Sequence, residues 1–180
     1  ALGRQIEWIV LDQNRGLGNR KLLPEGYLRE PAERLKTGTV IEHAFAPSTA
    51  MHMHLDAGHP YLLNPSSAIE LSFNTQNNYH AVVGIGFPQR FYQTLKGLGV
   101  NQFQEHAFRD HHDYVIDDLV FNDDQPIITT EKDAVKLLPL LEKYPEFKRP
   151  IWVVPVKAVL SAECYQVLNQ QLQKLDIQIS

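Results

Sequence analysis

Residues 126–156, PIITTEKDAVKLLPLLEKYPEFKRPIWVVPV, decide the fold. Pro126–Thr130 reads as a strand, Lys132–Tyr144 as a helix and Ile151–Val156 as a second strand. A strand, a helix and a strand in so short a stretch specify a crossover between parallel strands. The same alternation extends outward. Upstream, His80–Val83 predicts a strand, Pro88–Leu98 a helix, Gln102–Ala107 a strand and Asp117–Phe121 a short helix. Downstream, Ser161 caps a helix to Leu175 that carries Leu160, Cys164, Val167, Leu168, Leu172 and Leu175 on one face, which puts Cys164 in the core. Residues 79–180 are therefore expected to form a layered α/β domain.

Further upstream the pattern changes. Ile6–Asp12 is a near-continuous apolar run ending in an acid, the signature of a strand buried on both faces, yet only five residues precede it. A Gly/Pro-rich loop, Gln13–Glu30, leads to a short helix over Pro31–Thr37 that Gly38 stops, and Thr39–Ile41 reads as a second strand. Residues 1–42 thus read as the remnant of another domain. Its first strand should pair with a second copy, be covered by rearranged neighbours, or stay exposed. Met51–Leu55 alternates apolar and polar, residues 56–59 supply turn chemistry and Pro60–Leu63 follows, which predicts a two-stranded ribbon within a 43–78 arm.

Composition bounds the function. The 180 residues carry 17 basic and 21 acidic side chains, a formal charge of −4, which is too acidic for a generic nucleic-acid binder. A single cysteine excludes an internal disulfide framework and suits a reducing compartment. No apolar run is long enough to span a bilayer, so composition predicts a soluble cytosolic protein. Charge is uneven: residues 1–40 are net +2 and the rest net −6, with six basic residues between Arg15 and Lys36. Such a stretch suits a solvated face or a phosphate-handling loop.

Six motifs invite a chemical reading. His52, His54 and Asp56, followed by His59, approach the zinc-hydrolase pattern HxHxDH, but the last histidine comes two residues late; the polar face of an exposed ribbon is the preferred reading. Gly84-Ile85-Gly86 lies between a strand and a helix but lacks the third glycine of a dinucleotide fingerprint. Gly16–Lys21 fails the same tests, and no P-loop motif occurs in the 180 residues. Asp110-His111-His112-Asp113 follows the carboxyl end of a strand, where α/β sites form. An imidazole beside a carboxylate there can bind a metal or handle a proton. Thr130–Asp133 is a capping-box-like arrangement. At Arg29-Glu30, the guanidinium could grip a phosphate and the carboxylate a hard cation, against the simpler reading of a local ion pair.

Taken together, these segments resemble the tetraacyldisaccharide 4'-kinase family. The resemblance is carried by Leu11-Asp12, Gly18-Asn19, Leu22-Leu23-Pro24, Leu28-Arg29-Glu30-Pro31, Gly84-Ile85-Gly86 with Pro88 and Arg90-Phe91, His106-Ala107-Phe108 with Asp110-His111, and Thr130-Glu131-Lys132-Asp133-Ala134-Val135-Lys136, in order and approximate spacing. It implies a P-loop-type kinase of lipid A biosynthesis in Gram-negative bacteria. That family uses ATP and Mg²⁺ to phosphorylate the 4'-hydroxyl of the tetraacyldisaccharide 1-phosphate lipid A precursor at the cytoplasmic face of the inner membrane. It also implies that this chain is the C-terminal portion, lacking the membrane-associating segment and the P-loop, and inactive alone. By the same resemblance His111 and Asp110 are catalytic, Arg29 and Asn19 bind substrate or phosphate, and Glu30 serves the Mg²⁺ region, with Asp12 a weaker candidate. Glu25-Gly26-Tyr27 replaces the family's Ala-Gly-Pro, and Asn19-Arg20 its common Asn-Gly. From other classes, a zinc hydrolase on His52, His54, Asp56 and His59, or a non-catalytic α/β binding module, stands as the alternative.

Overall fold

The computed structural model describes residues 5–26, 28–44, 46–64 and 72–175. Its elements are β1 (Trp8–Asp12), β2 (Thr39–His43), β3 (His52–Ala57), β4 (Tyr61–Leu62), β5 (Tyr79–Val83), α1 (Pro88–Gly97), β6 (Phe103–Ala107), β7 (Ile127–Thr130), α2 (Glu131–Lys143), β8 (Ile151–Val154), β9 (Val156–Leu160) and α3 (Ala162–Gln173). Residues Ala32–Lys36 and Ile116–Leu119 form 3-10 turns. The chain divides into two compact units, one up to Leu55 and again from Ala158, the other Asp56–Lys157.

The Asp56–Lys157 unit is built on a five-stranded sheet of order β4-β8-β7-β5-β6. Strands β5 to β8 are mutually parallel, and β4 joins the β8 edge antiparallel. Period-two alternation splits the core. Tyr79, Ala81 and Val83 of β5 pack with Phe91, Tyr92 and Leu95 of α1, while Val82, Ile127 and Ile151 share the other cluster with Leu137 of α2. This follows from right-handed crossovers: β5 steps one way to β6 and β7 the other way to β8, so the two helices cover opposite faces. Asn64 secures the β4 edge, donating to the Arg149 carbonyl at 2.9 Å and accepting from the Ile151 N–H at 3.0 Å.

The other unit carries strands β1, β2 and β3, parallel to one another, with β9 next to β3. Ser161 caps α3, its side chain accepting from the Cys164 N–H, and Cys164 is fully buried as its helical position requires. Gln171 ties α3 to the sheet: its carbonyl accepts from Trp8 Nε1 at 2.7 Å and its amide donates to Thr39 Oγ1 at 2.9 Å. The buried Glu42 carboxylate accepts from the Ser48 N–H and hydroxyl and the Thr49 N–H. Burial alone would raise its pKa; those hydrogen bonds outweigh burial and hold it below the usual carboxylate range.

Four sequence expectations need correction. The 51–63 segment is not a hairpin: β3 lies between β2 and β9, while β4 pairs with β8. The turn residues explain this, since the Gly58 N–H donates to the Pro155 carbonyl at 2.8 Å instead of closing back on β4. Strand β9 was hidden because Pro155, which has no N–H, cuts residues 151–160 into two strands; the expected strand to Val156 ends at Val154. Finally, β1 is an edge strand beside β2, its Val10 54% exposed, rather than a strand buried on both faces. The short helix expected over 31–37 is a 3-10 turn. No described helix is long and apolar enough to cross a membrane.

Candidate functional site

In the Asp56–Lys157 unit the functional loops leave the carboxyl ends of β5, β6 and β7. β5 and β7 are neighbours whose crossovers run to opposite sides, so their carboxyl ends form the topological switch point of the sheet, where sites of α/β folds are built. The β5 loop supplies Gly84 and Gly86, of which Gly84 is the more crowded. A Cβ at Gly84 would lie 2.8 Å from Tyr114 Oη and 3.2 Å from Asp133 Oδ1; one at Gly86 would lie 3.3 Å from Asp110 Oδ2. Asp133, fully buried at the start of α2, exchanges hydrogen bonds with Thr130: the Thr130 hydroxyl donates to Oδ2 at 2.7 Å and accepts the Asp133 N–H at 3.1 Å. Burial and the Asp133 carboxylate push the Tyr114 hydroxyl well above the usual phenol range, so it stays protonated.

The β6 loop carries Asp110 and His111. Asp110 Oδ1 accepts from Lys132 Nζ at 2.6 Å and from the His111 N–H at 3.1 Å, and Oδ2 lies 3.9 Å from His111 Nε2. The Lys132 hydrogen bond, first among the causes, holds the Asp110 carboxyl below its usual range, so it is ionised at neutral pH. His111 stands in the left-handed backbone region, φ 61°, with its side chain 77% exposed. Next to it, His112 turns inward. Its ring stacks on Phe108 at 4.5 Å and its Nε2 lies 2.9 Å from Asp118 Oδ2. Asp110 and His111 are thus brought together as an ionised carboxylate beside an exposed imidazole, a pair able to handle a proton.

The remaining predicted residues belong to the other unit, on the 13–31 loop and its approach. A cleft of about 640 Å³ is lined by β1, by Arg15 to Leu17, by Leu28 to Ala32 and by Arg34 and Leu35; Asp12, Arg29 and Glu30 are among its lining residues. Asp12 Oδ1 accepts the Asn14 and Arg15 N–H groups at 3.0 and 3.3 Å, turning the chain out of β1. Asn19 braces its own loop, accepting from the Lys21 N–H at 3.0 Å and donating to the Glu25 carbonyl at 2.7 Å. Glu30 Oε2 accepts from Arg34 Nε at 3.0 Å, and Arg34 also binds Glu7. Glu30 and Glu7 together raise the pKa of the Arg34 guanidinium.

Among the described residues no three His, Cys, Asp or Glu side chains converge as a metal site. His52 instead donates from Nδ1 to the Thr49 carbonyl at 2.9 Å, and the four-ligand zinc arrangement over 52–59 is not formed.

Sequence reasoning missed a third cluster. His80, only 3% exposed, places Nε2 2.8 Å from Asp123 Oδ1 and Nδ1 2.9 Å from His106 Nε2. Phe121 stacks on His80 at 3.7 Å, and Arg149 Nη1 reaches Asp123 Oδ1 at 3.3 Å. Only the parallel β5–β6 pairing, Val82 opposite His106, brings the two histidines within reach. In the sequence Lys132 belongs to a cap motif and Asp110 to a separate cluster 22 residues away, so no local pattern shows their contact.

The family model for LpxK, tetraacyldisaccharide-1-P 4'-kinase, matches residues 1–173. A tetraacyldisaccharide 4'-kinase of Psychrobacter cryohalolentis is 40% identical across 100% of this chain and 56% of its own length. That of Alkalilimnicola ehrlichii is 43% identical, over 97% of this chain and 51% of its own. Among solved structures, LpxK from Aquifex aeolicus, described as an "apo" form in complex with ATP, aligns with TM-score 0.56 at 21% identity. The alignment covers 96% of this chain and 53% of that one. The chain spans about half the length of the curated relatives it matches.

Proposed function

Since the chain belongs to the tetraacyldisaccharide-1-P 4'-kinase family, we propose that the protein containing these 180 residues transfers phosphate from ATP to the 4'-hydroxyl of a tetraacyldisaccharide 1-phosphate, a lipid A precursor. The family match over residues 1–173 is the observation that carries this reading. The reaction takes place at the cytoplasmic face of the inner membrane. The 180 residues contain no P-loop motif, so alone they are inactive.

Phosphoryl transfer needs charge neutralisation and an oriented hydroxyl more than covalent chemistry. Arg29 lines the cleft beside β1, where a planar guanidinium can grip a phosphate through two hydrogen bonds. Glu30 and Asp12 line the same cleft, and hard carboxylate oxygens suit Mg²⁺, which takes one or two carboxylates along with phosphate oxygens. Magnesium, when bound, supplies positive charge against the transferring phosphoryl group. Asn19 shapes the substrate loop through its two backbone contacts. His111, its ring exposed and its backbone bonded to Asp110, holds or moves the proton of the acceptor hydroxyl; Asp110 keeps a negative charge beside it.

Steady-state kinetics of the full-length kinase test these assignments. His111→Ala should lower kcat by ~10²- to 10⁴-fold, the usual worth of a positioned acid–base group. Folding should be nearly unchanged, since the ring is 77% exposed. Arg29→Ala should mainly raise KM, because it removes a charged grip and no proton carrier. A His111→Ala enzyme at wild-type kcat would overturn the assignment.

A further inference from the structure

His111 has an unusual setting. Its backbone is left-handed, a region that a residue with a Cβ visits uncommonly. Its own ring does not supply the restraint, being largely exposed. The restraint comes from the residues on either side. Before it, Asp110 is held by Lys132 Nζ at 2.6 Å and receives the His111 N–H on the same oxygen. After it, the His112 carbonyl accepts from Lys136 Nζ at 3.0 Å, and the His112 ring is fixed between Phe108 and Asp118. Lys132 and Lys136 stand four residues apart on α2, hence on one helix face, one turn apart.

We propose that Lys132 and Lys136 are positioning residues: from one face of α2 they grip Asp110 and the His112 backbone, and so present His111 to the acceptor hydroxyl in a fixed orientation. The helix is well suited to this. Its first turn is locked to the end of β7 by the reciprocal Thr130–Asp133 bonds, and Leu137 anchors it in the core. The two ammonium groups therefore project from a rigid base onto a loop that lacks regular structure. Lys132 adds a side-chain hydrogen bond to the one Asp110 accepts from the His111 N–H, which further limits the carboxylate's freedom to swing away from the imidazole. The inference rests on the proton-handling role proposed for His111 and extends it to two lysines that act through that histidine.

The test uses the full-length kinase with ATP and the tetraacyldisaccharide 1-phosphate. Lys132→Met should lower kcat by roughly 10-fold or more while KM moves by less than about 3-fold; Lys136→Met should have a smaller effect in the same direction. Lys132→Arg, which keeps a cation near Asp110, should recover most of the loss. In a His111→Ala background Lys132→Met should add nothing, because it acts through that histidine. Amide hydrogen exchange of peptides spanning 109–113 should rise in the Lys132→Met/Lys136→Met protein while exchange in β5 stays protected, separating a loosened loop from a misfolded domain. Wild-type kcat for Lys132→Met, in an enzyme that His111→Ala cripples, would overturn the inference and leave the His111 assignment standing. So would unchanged exchange over 109–113. Wild-type kcat for His111→Ala would instead sink the His111 assignment and with it the catalytic sense of the grip, while exchange would still report whether the lysines hold the loop.

Discussion

At the scale of single residues, two glycines separate steric need from entropic cost. Gly84 sits where a methyl group would meet Tyr114 Oη at 2.8 Å, closer than a real Cβ approaches, with Asp133 Oδ1 on the other side. Tyr114 is pinned by Phe108 and His112, its ring 5.4 and 4.9 Å from theirs, so it cannot step aside freely. Gly84→Ala should therefore destabilise the fold by about 1–3 kcal/mol, the usual range for overpacking. Gly97, at the last turn of α1, has nothing within 4 Å of a built Cβ. There Gly→Ala should be neutral or stabilise by up to about 1 kcal/mol, through the entropy of the unfolded chain. The denaturant midpoint should fall for Gly84→Ala and hold or rise for Gly97→Ala; a Gly84→Ala protein as stable as the parent would mean that Tyr114 yields. Either glycine could be picked out in the sequence, but the difference between them could not, because it depends on Tyr114, thirty residues further on.

At the scale of elements, the ends of the helices were legible and their partners were not. Ser161 reads as a cap from its place before an apolar-periodic run, and its hydroxyl does accept from the Cys164 N–H, at 3.4 Å. The same oxygen donates to the Ala50 carbonyl at 2.8 Å and accepts the His52 N–H at 3.3 Å, so one hydroxyl both starts α3 and secures the entry to β3. Ser161→Ala should then cost more than an ordinary cap, toward the upper end of the ~0.5–2 kcal/mol seen for caps. Thermal denaturation would register this, and Ser161→Asp, which restores the cap but cannot donate to the Ala50 carbonyl, should recover only part. A full recovery would show that the helix cap alone matters. Strand β9 marks the limit of sequence reasoning at this scale. VKAVL is too short and too exposed to announce itself, and it is a strand because β3 lies next to it.

At the scale of the whole molecule, the His106–His80–Asp123 chain sets a dependence on pH. Burial, and secondarily His80, lowers the His106 pKa from its usual 6.5, while the His80 hydrogen bond heads the causes that lower Asp123 from 3.8. The Asp123 carboxylate accepts from His80 Nε2–H, and the His80 and His106 rings meet through Nδ1 and Nε2 at 2.9 Å. For a histidine with a depressed folded pKa, the unfolded state binds the proton more readily; its stabilisation is complete above pH 6.5 and lost as pH falls through the folded pKa. The Asp123 contribution is present above 3.8 and disappears further down. The denaturant midpoint should thus decline as pH drops below about 6.5, and His106→Gln should flatten that decline in its upper part. An equally steep decline in the variant would place the sensitivity elsewhere. The sequence by itself determined where α1, α2, α3 and strands β5 to β8 lie, that Cys164 is core, and the family, because periodicity, caps and motif order are local properties of the chain. Only the tertiary structure decided that β3 pairs with β2 and β9, that β7 inserts beside β5, and that Lys132 meets Asp110 and His80 meets His106 and Asp123. Strand order and register are fixed by the summed burial of many distant residues, and no local pattern records which partner wins.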